Sequence, residues 1–193
     1  MPDERFAKTK LTLQIIQTAA IILGAASLWV SYTAFRDDHE YKRRQFTAEL
    51  IASFNSRIKE IRSPLMEAYP GLHNVDAGKP PSLEDCRMMI KAKRGDFKIN
   101  DKVDAFEVRA YLMSAFNTFE HIAYAFEHHL GNQLEIEESF SHVILRWDSF
   151  FGNCVRAAND EMKTDNWPPL TRVVGTWKSN REKRVQPIPK TGQ

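Results

Sequence analysis

Three polar residues in a mostly apolar region are the strongest candidates for chemistry in this sequence. Asn117 and Glu120 lie three residues apart, and helical periodicity aligns both with Met113 and Ala123 rather than with a solvent face. A carboxylate there must be paired, hydrogen-bonded or protonated, because burying an unpaired charge is costly. Arg146, on the next predicted helix, is the expected partner. The trio predicts either a polar cluster that docks two helices or a small-ligand site.

Other patterns that indicate catalysis are absent from the sequence. On the two long predicted helices, Glu138 and His142 are the single His/carboxylate pair at metal-ligand spacing, which is too little for a metal site. There is no phosphate-binding glycine loop and no G-x-S-x-G motif. We therefore expect no metal, no cofactor and no catalytic residue, and an enzyme is the less favoured class.

Charge and cysteine usage limit the partners and the compartment. The chain has 27 Lys and Arg against 25 Asp and Glu, well mixed, so we expect no nucleic-acid partner. Cys86 and Cys154 lie far apart without metal-ligand or C-x-x-C spacing, so we expect reduced thiols rather than a disulfide. The sequence also has no N-x-[ST] glycosylation acceptor. Both features favour a cytosolic location for the main domain.

An apolar segment near the N-terminus predicts one transmembrane helix. Residues 11–35 carry no charge, and as a helix they extend about 37 Å against a hydrocarbon core of roughly 30 Å. A signal peptide would have a shorter apolar run, and the other alternative is a buried helix of a soluble domain. Trp29, Tyr32 and Phe35 resemble the aromatic residues found at membrane interfaces. We predict a single-pass membrane protein with the bilayer as a partner.

The orientation depends mainly on the cysteines, because basic residues nearly balance across the span. They are Arg5, Lys8 and Lys10 before it, and Arg36, Lys42, Arg43 and Arg44 after it. We therefore expect an external N-terminus and a cytoplasmic C-terminal domain.

Small and polar residues form one stripe along the span, at spacings of three and four. They are Gln17, Ala20, Gly24, Ser27 and Ser31. Such stripes allow transmembrane helices to approach closely, which predicts a homo-oligomer, although small residues are also common in ordinary spans.

Helical periodicity continues through the remaining chain. Apolar faces run from Phe46 to Ile61, from Val108 to Leu130 and from Ile136 to Ala158. We expect a short helix over 82–94, a loop over 95–100, long helices over 101–130 and 134–162 separated by Gly131-Asn132, and a final helix opened by Trp167. No strand pattern stands out. The fold class is all-α, an N-terminal transmembrane helix followed by a small antiparallel helical bundle.

This pattern divides the chain into four parts. They are an N-terminal tail over 1–10, a transmembrane helix over 11–35, a helical soluble domain over 36–178 and a disordered basic tail over 179–193.

A short motif resembles that of a known but uncharacterised family. The motif is Phe116-Asn117-Thr118-Phe119-Glu120-His121-Ile122-Ala123, followed by Arg146-Trp147 on the next helix. It is similar to the N-x-F-E-x-I-A helix and Arg-Trp helix of bacterial single-span membrane proteins with a helical cytoplasmic domain. The resemblance covers about residues 100–178 and the anchor, whereas 64–100 has no counterpart. It implies an inner-membrane location and no assigned activity, and Asn117, Glu120 and Arg146 carry over.

The sequence therefore predicts a membrane-anchored helical interaction or regulatory module that self-associates or binds an unidentified protein partner. The alternative is a small-ligand sensor or enzyme with a polar site around Asn117, Glu120 and Arg146.

Overall fold

The structure, a computed structural model, describes residues 3–73 and 78–185. In chain order the elements are α1 (Asp3–Ala68), a 3-10 turn (Pro70–Leu72), α2 (Leu83–Lys91), β1 (Lys98–Ile99), β2 (Val103–Asp104), α3 (Ala105–Glu127), α4 (Gln133–Met162) and α5 (Pro168–Val185). The chain divides into two units, Met1–Arg43 and Arg44–Gln193. The predicted helical architecture is confirmed in its main elements.

The described part of the first unit is the portion of α1 up to Arg43. Its large apolar side chains are exposed, for example Ile21 at 72% and Leu28 at 74%. The helix over Gln17–Ala68 contains a window of mean hydropathy 1.5 with no buried residue, so by length and composition it can span a membrane. A signal sequence shares these features. The helix α1 already begins at Asp3, since no Gly or Pro interrupts 3–10, and the division of the chain into a tail over 1–10 and a span stays a prediction.

The second unit is built around the apolar faces that the sequence predicts. Phe54 of α1 contacts Phe119 of α3 and Phe140 of α4, with ring centroids 6.1 and 5.0 Å apart. The helix α2 packs on α3 and α4, and α5 packs on the same two helices. The aromatic rings and aliphatic side chains therefore form one core between all five helices.

The turn between α3 and α4 is fixed by its close approach to α1. His129 has a φ of 54°, the left-handed conformation that commonly ends helices. Beyond it, the backbone N–H of Asn132 donates to Thr47 Oγ1 at 2.9 Å, and Thr47 is fully buried. A Cβ on Gly131 would lie only 2.5 Å from that same oxygen. The predicted Gly131-Asn132 turn is confirmed, and its glycine is required by packing.

A disulfide joins α2 to α4, which contradicts the expectation of reduced thiols. Cys86 and Cys154 are bonded, and both are fully buried. Their separation of 68 residues has no recognisable motif, so only the fold brings them together. The start of α2 agrees with the sequence, because Ser82 and Asp85 cap each other's backbone N–H groups.

Two short regions differ from the prediction. Lys98 and Ile99 pair with Asp104 and Val103 in a hairpin, where we expect a loop followed by the start of a helix. Strands of two residues show no periodicity, so the pattern could not reveal them. At the other end of the chain, α5 continues to Val185, and the predicted disordered tail is wrong for 179–185, which contain no Gly or Pro. Residues 186–193 lie outside the described residues.

Candidate functional site

Asn117 and Glu120 both bind the start of α5. The indole N–H of Trp167 donates to Asn117 Oδ1 at 2.9 Å, and the backbone N–H of Leu170 donates to Glu120 Oε2 at 2.8 Å. Residues 168 and 169 are prolines, which have no backbone N–H, so Leu170 carries the first N–H group within α5. Glu120 therefore caps this helix from α3.

The electrostatics of Glu120 reflect its half-buried position. Burial raises the pKa of the carboxyl group, while the hydrogen bond from Leu170 opposes that shift. Asp165 raises the pKa further and Arg172 lowers it, both to a smaller extent. The first turn of a helix also favours a negative charge nearby. Glu120 is thus held by α5 in a position that disfavours its charged form.

Arg146 binds a different part of the molecule. Its Nε donates to the carbonyl of Leu72 and its terminal nitrogen to the carbonyl of His73, both at 2.7 Å. Across the residues that the structure describes, no ion pair or hydrogen bond joins Arg146 to Glu120. The expected pairing is therefore wrong. The reason is that two backbone carbonyls at the end of the 3-10 turn, which have no sequence signature, supply the acceptors for Arg146.

A bidentate ion pair lies next to the Glu120 cap. Arg172 of α5 donates through Nε and a terminal nitrogen to the two oxygens of Glu127, at 2.6 and 2.8 Å. This pair lowers the pKa of Glu127, mainly through the hydrogen bond. Together with Asn117 and Glu120, it attaches α5 to the length of α3. These contacts form the polar part of the interface between α3 and α5.

The histidines do not assemble a metal site in the described part of the chain. His121, His128, His129 and His142 are exposed, and no group of three or more His, Cys, Asp or Glu side chains within 3–73 and 78–185 can hold a metal ion.

A cleft with basic walls is the feature that sequence reasoning missed. Its cavity is about 490 Å³, and its ionisable lining residues are Lys79, His142, Arg146 and Arg181. We call it the basic cleft. Lys79 precedes α2, whereas Arg181 lies in α5, so only folding brings their charges together. A larger cavity of about 540 Å³ is lined by α3, α4 and α5, and it contains the Lys178–Asp148 ion pair.

The small-residue stripe lies on the exposed surface of α1. All of its members are exposed: Gln17, Ala20, Gly24, Ser27 and Ser31. Open space surrounds Gly24, since an added Cβ would meet no atom within 4 Å among the described residues. The self-association of this stripe stays a prediction.

No protein-family model, curated protein or solved structure matches the chain. The resemblance to a single-span bacterial family stays a prediction.

Proposed function

We propose that the chain is a membrane-anchored helical module that acts by binding another protein, either a second copy of itself or a separate partner. The observation that carries this proposal is the exposed apolar segment of α1, whose most hydropathic window is left uncovered by the residues that the structure describes. In water such a surface is unfavourable, whereas lipid or a partner helix would cover it.

The hydrogen bonds that the polar candidates make support a binding module over an enzyme. Asn117 and Glu120 use their oxygens to hold the start of α5, and Arg146 holds two backbone carbonyls. Each group therefore already has a structural role. The known patterns for nucleophilic or metal-assisted catalysis require free and mutually oriented groups.

The disulfide changes the side of the membrane that we propose. The thiol argument for a cytoplasmic domain does not hold when Cys86 and Cys154 are bonded. Disulfides form and persist in oxidising compartments and are rare in the cytosol. Since the basic residues flanking the span nearly balance, we favour placing the unit that begins at Arg44 on the oxidising side of the membrane.

Anchoring is tested by fractionation of the full-length chain expressed in cells. We expect it to stay with the membranes through high-salt and alkaline washes, and to be released by detergent. Recovery in the soluble fraction after gentle lysis would overturn the anchor. Intact chain length by mass spectrometry distinguishes a retained anchor from a cleaved signal sequence.

Self-association is tested by a matched pair of substitutions in the span. Gly24→Ile adds bulk to the small-residue stripe, whereas Ala26→Ile adds bulk outside it. Crosslinking and sedimentation in detergent should show a dimer for the native chain and Ala26→Ile, and loss of dimer for Gly24→Ile. If the native chain is monomeric, a separate partner protein becomes the proposed interaction. Equal behaviour of the two variants would exclude the stripe as the interface.

A further inference from the structure

We propose that the basic cleft binds a small phosphate-bearing anion, namely a phosphomonoester. The cleft has a volume of about 490 Å³, within the range of small-molecule sites. Its ionisable lining residues in the described chain are all basic: Lys79, His142, Arg146 and Arg181. This inference does not depend on membrane anchoring, so it can fail or succeed separately from the proposed function.

The positive charges of the cleft have no carboxylate partner within residues 3–73 and 78–185. Within the described residues, Lys79 and Arg181 have no ion-pair or hydrogen-bond partner, and they come from separate parts of the fold. Like charges that converge on one concave surface repel one another and attract an anion. A phosphomonoester carries a charge of about −1.5 to −2 near neutral pH, which suits several cations better than a single carboxylate does.

Two acidic side chains near the cleft already bind other groups. Asp148, one turn from the cleft residue Leu145, accepts from Lys178 Nζ at 2.6 Å. Asp85, which lines the adjoining cavity, accepts from the backbone N–H and hydroxyl of Ser82 at 3.0 and 2.7 Å. Neither residue lines the basic cleft itself.

Arg146 is held in place before any ligand arrives. Two of its N–H groups donate to the carbonyls of Leu72 and His73, and a guanidinium has further N–H groups. The rim beside it is formed by Gly71 and Gly78, whose backbones approach so closely that a Cβ on Gly71 would overlap the carbonyl oxygen of Gly78. A positioned guanidinium loses little entropy on binding an anion, and its planar shape matches phosphate oxygens.

The cleft also has an apolar wall. Leu145 and Phe150 are only 8% and 9% exposed, and Pro80 lies beside them in the lining. The cavity is too large for inorganic phosphate alone, so the wall favours an organic group attached to the phosphate. Such a group can come from a soluble metabolite or from a phospholipid headgroup, which share the same chemistry.

The test uses the full chain in nanodiscs of zwitterionic lipid, with phenyl phosphate and inorganic phosphate as probes. Calorimetric titration should show saturable binding of phenyl phosphate, with inorganic phosphate weaker because it leaves the apolar wall uncovered. Arg181→Gln and Lys79→Gln should each weaken binding about tenfold, since each removes one charged contact. Arg87→Gln is the matched control, because Arg87 pairs with Asp160 and does not line the cleft.

Several outcomes would overturn the proposal. They are the absence of saturable binding at millimolar probe, equal affinity in all three variants, or loss of binding in Arg87→Gln alone. Far-ultraviolet circular dichroism checks that each variant is folded. A second arm adds phosphatidic acid to the nanodiscs. If the site then loses affinity for phenyl phosphate, its ligand is a lipid headgroup, whereas unchanged affinity identifies a soluble phosphomonoester.

Discussion

Trp167 is tied to Asn117 by a hydrogen bond of 2.9 Å from the indole N–H to the side-chain carbonyl. Trp177, further along the same helix, is 1% exposed, and its indole N–H has no partner among the described residues. The two tryptophans therefore provide a matched pair, both buried but different in hydrogen bonding.

Replacing each tryptophan by phenylalanine should separate packing from hydrogen bonding. Trp167→Phe loses packing and the bond to Asn117, whereas Trp177→Phe loses packing but removes an unsatisfied donor. We expect the free energy of unfolding to fall further for Trp167→Phe, by about 1 kcal/mol. Urea unfolding of both variants measures this difference. A larger loss for Trp177→Phe would show that its N–H has a partner.

Substitutions of Glu120 test whether this residue acts as a helix cap or as part of a binding site. Glu120→Gln keeps an acceptor for the Leu170 N–H, so we expect stability close to that of the native chain. Glu120→Ala leaves that N–H without its acceptor and should cost about 1 kcal/mol, the usual contribution of a helix cap. Thermal unfolding compares the two. A strong loss of stability in Glu120→Gln would mean that the charge itself, rather than the acceptor, is needed.

The contribution of Glu120 to the free energy of unfolding should depend on pH, and the direction of the shift in its pKa fixes the sign. Because burial raises the folded pKa of Glu120 above its ordinary value of 4.5, the folded state holds this proton more tightly than the unfolded state does. The contribution of Glu120 to stability is therefore greatest below pH 4.5 and falls as the pH rises through the folded pKa. The stability of Glu120→Gln relative to the native chain should rise over this interval and then level off. Denaturant titrations from pH 4 to 8 measure it.

The disulfide should contribute substantially to the stability of the second unit. Closing a loop of this length constrains the unfolded chain, and removing such a bond typically costs about 2–4 kcal/mol. We expect the double variant Cys86→Ala with Cys154→Ala to lose this free energy of unfolding and to unfold at a lower urea concentration than the native chain. Dithiothreitol should lower the midpoint of the native chain but leave that of the double variant unchanged. Reactive thiols in freshly isolated, unfolded native chain would contradict the bond.

Replacing each of two glycines by alanine should change the stability of the protein in opposite directions. A Cβ on Gly131 would press on Thr47 Oγ1, so Gly131→Ala should destabilise by about 1–3 kcal/mol. Gly175 lies within α5 with open space around it, and Gly175→Ala should stabilise by about 0.5–1 kcal/mol through helix propensity. Equilibrium unfolding of both variants checks the pair, and the same sign in both would refute the packing argument.

Long periodic elements could be predicted from the sequence, whereas contacts between distant segments could not. The faces of α3 and α4 follow from repeated apolar spacing, and Gly131 marks the turn between them. The Cys86–Cys154 bond and the acceptors of Arg146 have no local signature, because each depends on segments about 70 residues apart. Of the candidate trio, Asn117 and Glu120 share a role at the start of α5, whereas Arg146 binds other acceptors, and a ligand site at these residues stays a prediction.

The covalent link between α2 and α4 encloses all of α3, since Ala105–Glu127 falls between the two cysteines. A protease that cuts once in the hairpin near Asn100 would leave both products attached to each other, and they would migrate separately only after treatment with a thiol reductant. Damage to that exposed hairpin would thus nick the polypeptide without shedding any part of it.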